Sequence, residues 1–280
     1  MADIRKGALG AKIVIYIVMG VFAVMAIYPI FWLIIQSFKT TQEYITNSKL
    51  AMPKLWFFGN YPYAWTMAKL GTMMLNSIFY TVITVLGVII LGSMAGFAFA
   101  KIPSKATPVL HGMFIIGILL TLQSIMVPLF LMMNAVGLYD TRLGVLIPYI
   151  GLGLPMAIYL ATDFIKSIPL ALVESARIDG AKYLQIFARI IFPMILPVAM
   201  TIGILTFSGT WNEFMMINVL TSNDAIKSLP VGINKFAGQL ATDYGKQFSA
   251  LVIGMLPMVI FYMVFRKQIT KGVAAGAVKG

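Results

Sequence analysis

Cysteine is absent from the 280 residues and histidine occurs once. The first absence excludes disulfides, thiolate metal sites and lipid attachment through cysteine. The second leaves no basis for a histidine metal centre. Charge is scarce: 11% of residues, 21 basic and 9 acidic. The centres of the long apolar runs carry no ionisable side chains, and Asp163 and Glu213 sit at run ends. Carriers driven by protons or sodium place such groups there, despite a cost of roughly 2.5–3.5 kcal/mol each on insertion scales. The pattern therefore argues against ion coupling. A phosphate-binding loop is missing too. The Gly-Lys pair is Gly245-Lys246, and Leu240 stands where G-x-x-x-x-G-K-[ST] needs its first glycine. ATP binding in a Walker site is not expected of this chain.

What is abundant is apolar sequence, 60% of the chain. A hydrocarbon core of about 30 Å needs about 20 helical residues. Runs of that length predict six spans, at about 13–36, 72–100, 108–133, 143–163, 188–212 and 247–266. The expected fold is an all-α membrane protein, one transmembrane domain over 1–280. The first run is too long for a signal-peptide core and lacks a clean small-x-small cleavage site, so it reads as a retained span. Most of the 21 basic residues cluster on one side: Arg5, Lys6, Lys12, Lys101, Lys105, Lys166, Arg177, Lys182, Arg189 and the basic C-terminal residues. Basic loops stay cytoplasmic, so both termini and the 169–181 segment are expected there. The net charge of +12 suits anionic lipid heads and gives no support to nucleic-acid binding.

Small residues Gly92, Gly96 and Ala100 recur at four-residue spacing in the second span, a stripe that lets helices approach closely. The 39–69 loop is rich in aromatics, including Trp56, Phe57, Phe58, Tyr61, Tyr63 and Trp65, which anchor at membrane–water boundaries or meet an outer partner. Neutral polar and aromatic side chains in or near spans supply the candidate solute contacts: Asn76, Gln123, Tyr149, Trp211 and Asn212. Amides offer both donor and acceptor, which suits hydroxyl-rich ligands. For any one of them, an interhelical hydrogen bond or an interfacial anchor is the plainer reading. The 20 methionines read as apolar packing.

Between the fourth and fifth spans lies IPLALVESARIDGAKYLQIFARIIFPMILP, residues 168–197. Pro169 suits a helix start, the following residues are good helix formers, and Gly180 can take the left-handed conformation that ends a helix. A second helix is expected from near Lys182. The short helix at about 169–181 would present small Ser175 and Ala176 to an approaching protein. This segment resembles the EAA loop of ABC importer permeases, with Ser175 in place of the first alanine. The run Trp211-Asn212-Glu213-Phe214 looks like the W-N-E-[FY] segment of the carbohydrate branch. The ending Val278-Lys279-Gly280 is similar to the tail of the smaller permease in the maltose-type subfamily.

The resemblance implies a type I ABC importer transmembrane domain in a bacterial or archaeal cytoplasmic membrane. Glu174, Ser175, Ala176, Arg177, Asp179 and Gly180 would form the coupling helix, and the 271–280 tail would reach the ATPase. The implied partners are a second homologous permease, two ATPase copies carrying ATP and magnesium, an extracytoplasmic solute-binding protein, and a sugar or oligosaccharide as cargo. Close relatives handle glycerol phosphoesters, which is the alternative cargo. A secondary carrier and a non-transporting scaffold are the remaining readings.

Overall fold

The structure, a computed structural model, describes residues 2–67, 69–236 and 243–277. Its elements run α1 (Ala2–Gln36), α2 (Thr41–Thr46), α3 (Asn60–Met67), α4 (Leu70–Lys101), α5 (Thr107–Ile118), α6 (Leu122–Ala135), α7 (Arg142–Lys166), α8 (Leu170–Ile178), α9 (Tyr183–Ile186), a π-turn (Phe187–Ile191), α10 (Phe192–Met194), α11 (Leu196–Asn212), α12 (Met215–Leu220), α13 (Leu229–Lys235) and α14 (Tyr244–Ala277). Among the described residues there are no strands.

Among the described residues, four helices are long and apolar enough to cross a membrane, at Lys12–Gln36, Leu70–Lys101, Arg142–Lys166 and Tyr244–Gln268. The third and fifth sequence spans are not straight helices. Residues 107–135 bend by 108° between α5 and α6, and residues 183–212 bend by 80° between α10 and α11. The second break has a visible cause. Pro193 and Pro197 lack amide donors, and a π-turn precedes them. At the first break, Thr121 turns to extended backbone, with ψ of 143°. Counted as one span each, the bent pairs bring the total to six.

Contacts group the chain into two compact units, Met1–Leu70 with Ile233–Met255, and Gly71–Gly232 with Leu256–Gly280. The first unit is organised by a polar knot. Asn60 Nδ2 donates to the Ser37 and Lys39 carbonyls, each at 2.8 Å. A Cβ on Gly245 would meet the Lys39 carbonyl oxygen at 2.3 Å, so this position admits glycine alone. Asp243 accepts a hydrogen bond from Thr41 and pairs with Lys246 at 2.6 Å. Phe38 packs against Trp56, Phe58 and Tyr61, so part of the aromatic loop forms this unit's own core.

The second unit is built on a seam between α4 and α7. A Cβ on Gly87 would meet Ile150 and one on Gly153 would meet Val88. Farther along, Cβ atoms on Gly92 and Gly96 would stand 2.6 and 2.7 Å from the Cβ atoms of Ala157 and Ala161. Both number series climb together, so the two helices run parallel and in register. The stripe expected from sequence thus faces a matching stripe, Gly153, Ala157 and Ala161, and the backbones close on each other. Helices α5 and α11 pack on α7, and α12 packs on α6 and α7.

Gly96→Val overfills the seam and is expected to cost about 1–3 kcal/mol, read as a lower melting temperature in detergent. Gly112→Ala, with nothing within 4 Å of its Cβ, should melt no lower than the parent, since alanine favours a helix interior. In the first unit, partial burial pushes the Asp243 carboxyl up, but hydrogen bonds from Lys246 and Thr41 outweigh it and hold it below its ordinary value. Its contribution to stability is therefore full above the unfolded carboxylate range and fades as pH falls through the lowered folded value. Asp243→Asn should flatten the acid limb of a melting-temperature profile.

Candidate functional site

Two regions of the second unit gather the sequence candidates. The first is α8 with its flanks. Pro169 begins it with ψ of 133°. Its end is closed by a double cap: the Gly180 amide donates to the Arg177 carbonyl and the Ala181 amide to the Ala176 carbonyl, each at 3.0 Å. This pair of bonds needs a left-handed residue, and Gly180 supplies it at φ of +82°.

The helix has two unlike faces. Val173 and Ala176 are buried in a core with Ile165, Ile168, Ile186 and Phe187. Glu174, Ser175, Arg177, Asp179 and Gly180 are exposed. Ala176, expected at the outer surface beside Ser175, instead faces inward, because positions 173 and 176 lie one helical turn apart on the same side. Sequence reasoning also passed over Ile178, which is 87% exposed. The signal was available: 178 falls about 200° around the helix from 176 at 3.6 residues per turn, so one of them had to face away from the core. Arg177 lies over the Tyr183 ring at 4.7 Å and donates to its hydroxyl, which ties the end of α8 to α9.

Lys101, at the end of α4, is buried, and its ammonium donates to the Ile168 and Lys166 carbonyls. On the other side of α8, Phe97 packs against Tyr183 and Phe187 with ring centroids 6.4 and 5.9 Å away. The end of α4 is thus fastened to the chain both before and after α8.

The second region is a cavity of about 280 Å³ between α7 and α11, near the lower bound of about 300 Å³ usual for small-ligand sites. It is largely apolar, and its polar lining includes Tyr149, Thr206, Thr210 and Glu213. The Tyr149 hydroxyl donates to Glu213 Oε2 at 2.7 Å. The Met216 amide donates to Oε1 at 2.6 Å and the Ile217 amide to Oε2 at 3.3 Å. The carboxylate thereby joins the end of α11 to the start of α12. Among the described residues, no Lys, Arg or His lines the cavity.

Of the solute candidates, Tyr149 alone lies in that lining. Asn76 is buried and spent on structure: its amide donates to the Ala225 and Lys227 carbonyls, and its oxygen accepts from Arg142. Trp211 is buried, with its ring parallel to that of Phe207. Asn212 is exposed and donates to the Ser208 carbonyl in the preceding turn. Gln123 is exposed, next to the lining residue Leu122. Thr206, Thr210 and Glu213 were absent from the sequence candidates, although they share one helical face at 206, 210 and 213 with polar groups three and four apart. Val278, Lys279 and Gly280 lie outside the described residues. Among the described residues, no group of three or more His, Cys, Asp or Glu side chains could hold a metal ion.

Comparison with known proteins bears on this arrangement. The model of the family described as binding-protein-dependent transport system inner membrane component matches residues 88–274. The chain is 32% identical to a putative ABC transporter permease, ORF2, of Caldicellulosiruptor sp., over 95% of this chain and 96% of that one. It is 32% identical to the trehalose transport system permease SugB of Mycobacterium tuberculosis, over 91% and 93%. It is also 32% identical to the multiple sugar-binding transport system permease MsmG of Streptococcus mutans, over 94% and 96%. Among solved structures, it superposes on a chain of a bacterial ABC transporter involved in import of the acidic polysaccharide alginate. The TM-score is 0.80 at 27% identity, covering 91% of this chain and 95% of that chain.

The α8 cap gives a direct test. Gly180→Val forces a branched side chain into the left-handed region, at about 1–2 kcal/mol, and should speed hydrogen exchange at the Ala181 amide. Gly180→Asn, which tolerates that conformation, should restore most of the protection.

Proposed function

The chain belongs to the binding-protein-dependent transport system inner membrane components, and on that premise we propose that it is the sugar-transporting kind. In this reading it is one membrane-spanning permease of an ATP-driven importer for a sugar or oligosaccharide. It forms the pathway with a second permease, receives cargo from an extracytoplasmic binding protein, and is driven by two copies of an ATPase that carry the ATP and magnesium. The basic-residue bias supports a cytoplasmic α8 and cytoplasmic termini.

The observation that carries the reading is the two-faced α8. Its inner face is anchored by Val173 and Ala176, while an exposed isoleucine, Ile178, stands among Glu174, Ser175, Arg177 and Asp179. An apolar side chain 87% exposed among charged neighbours on a capped helix fits a partner's groove, the helix-in-groove mode of recognition. The importer supplies that partner as its ATPase.

The cavity supports a neutral cargo over glycerol phosphoesters. Among the described residues its lining holds a carboxylate and no cation, and charges act strongly on one another where water is displaced. A phosphate beside Glu213 would be repelled. Tyr149, Thr206 and Thr210 suit hydroxyl groups, and the apolar lining suits the faces of a sugar ring.

Ile178→Asp tests the assignment. Surface changes of this kind alter folding stability by about 0.5 kcal/mol or less, so melting should be unchanged. Copurification of the ATPase with the permease pair should fall about tenfold or more, as for a central apolar contact worth at least ~1.4 kcal/mol. Full ATPase recovery with a normally folded variant would remove α8 as the docking element.

A further inference from the structure

The importer reading says that α8 receives force from an ATPase, but leaves open which span takes it up. By chain connection alone, the force would pass to α7 behind α8 and to α9–α11 ahead of it. We infer that α4, which does not adjoin α8 in the chain, takes up that force together with α7, and that Lys101 is the positioning residue that latches it.

Three observations carry this. Lys101 is buried at the last residue of α4. Its ammonium reaches the carbonyls of Lys166, the last residue of α7, and Ile168, two residues before α8. Helix ends leave four carbonyls without intrahelical partners, and the negative end of the helix dipole attracts a cation. An ammonium with three donors and no acceptor suits that position. Beyond α8, Phe97 packs against Tyr183 and Phe187, so α4 grips both flanks of the helix. Apolar contacts are non-directional and can slide; a charge-assisted bond to a carbonyl fixes position along the chain. Finally, the Gly92–Ala157 and Gly96–Ala161 contacts leave no room between α4 and α7 for independent sliding. Through this register, a displacement at Ile168 is carried to the opposite end of α4, where Asn76 holds Arg142 and the Ala225 and Lys227 carbonyls.

The inference rests on the importer reading, and the experiment separates the two. The chain has no cysteine, so spin labels can be placed at exposed Lys105 and Ser167, one on each side of the latch, in the intact importer in nanodiscs. The nucleotide-free and ATP–vanadate-trapped states are compared. A reference pair, Lys105 with a site on the ATPase, reports the cycle itself. The parent should give the same narrow Lys105–Ser167 distance in both states while the reference pair shifts. Lys101→Met should lose the single narrow distance on trapping, and Lys101→Arg should restore it. A Lys105–Ser167 distance that changes in the parent overturns the latch, as does a Lys101→Met distribution as narrow as the parent's. If Lys101→Met fails to assemble, Lys101→Gln is read in the same way, and the parent comparison decides by itself. A reference pair that ignores ATP and vanadate instead overturns the importer reading, and the coupling role of Lys101 with it.

Discussion

Close backbone approach between α4 and α7 sets the geometry on which the second unit depends. Glycine and alanine at four-residue intervals on both helices leave no side chain to hold the axes apart. In a bilayer, where lipid tails are as apolar as leucine, packing of this kind is a main source of helix association. The parallel, in-register seam has a polar clasp at each end: Asn76 with Arg142, and Lys101 with the Lys166 and Ile168 carbonyls. Between these clasps α7 presents its other side to α5 and α11. Tyr149, Leu152 and Met156 of α7 line the cavity.

The same seam explains how a nine-residue helix is held in one conformation. Helices this short are marginal in isolation. Here α8 is held by a core beneath it, by the double cap at Gly180, by Arg177 on Tyr183, and by α4 on both flanks. The proposed docking role requires that rigidity. The bends at 119–121 and at Ile195 fall in other segments, and the π-turn after α9 lies between α8 and the second bend. π-turns interrupt helices often at functional sites.

Charge is placed economically in the cavity. Glu213 serves structure through the Met216 and Ile217 amides and also gives the lining its sign. The solved alginate transporter that this chain resembles moves an acidic polysaccharide, so a shared fold does not decide the charge of the cargo. In the proposed reading, that property resides in a few lining side chains and in what a second permease would contribute opposite them.

By itself, the sequence determined the class of protein and its likeness to a family. Apolar run length, charge bias and the absence of a Walker loop are properties of composition and order, which need no coordinates to act. The left-handed Gly180 and the close-packing stripe at Gly92 and Gly96 were legible for the same reason, since each follows from local steric rules. What required tertiary structure was direction. Asn76 and Trp211 read as solute contacts because their chemistry fits, yet the fold turns one onto loop carbonyls and buries the other against Phe207. Ala176 went inward and Ile178 outward because the core under α8 selects one face of the helix. Lys101 read as one more basic residue of a loop. Its role depends on Lys166 and Ile168, 65 and 67 positions away in the chain, and a contact at that separation exists only once α4 and α7 have packed in register.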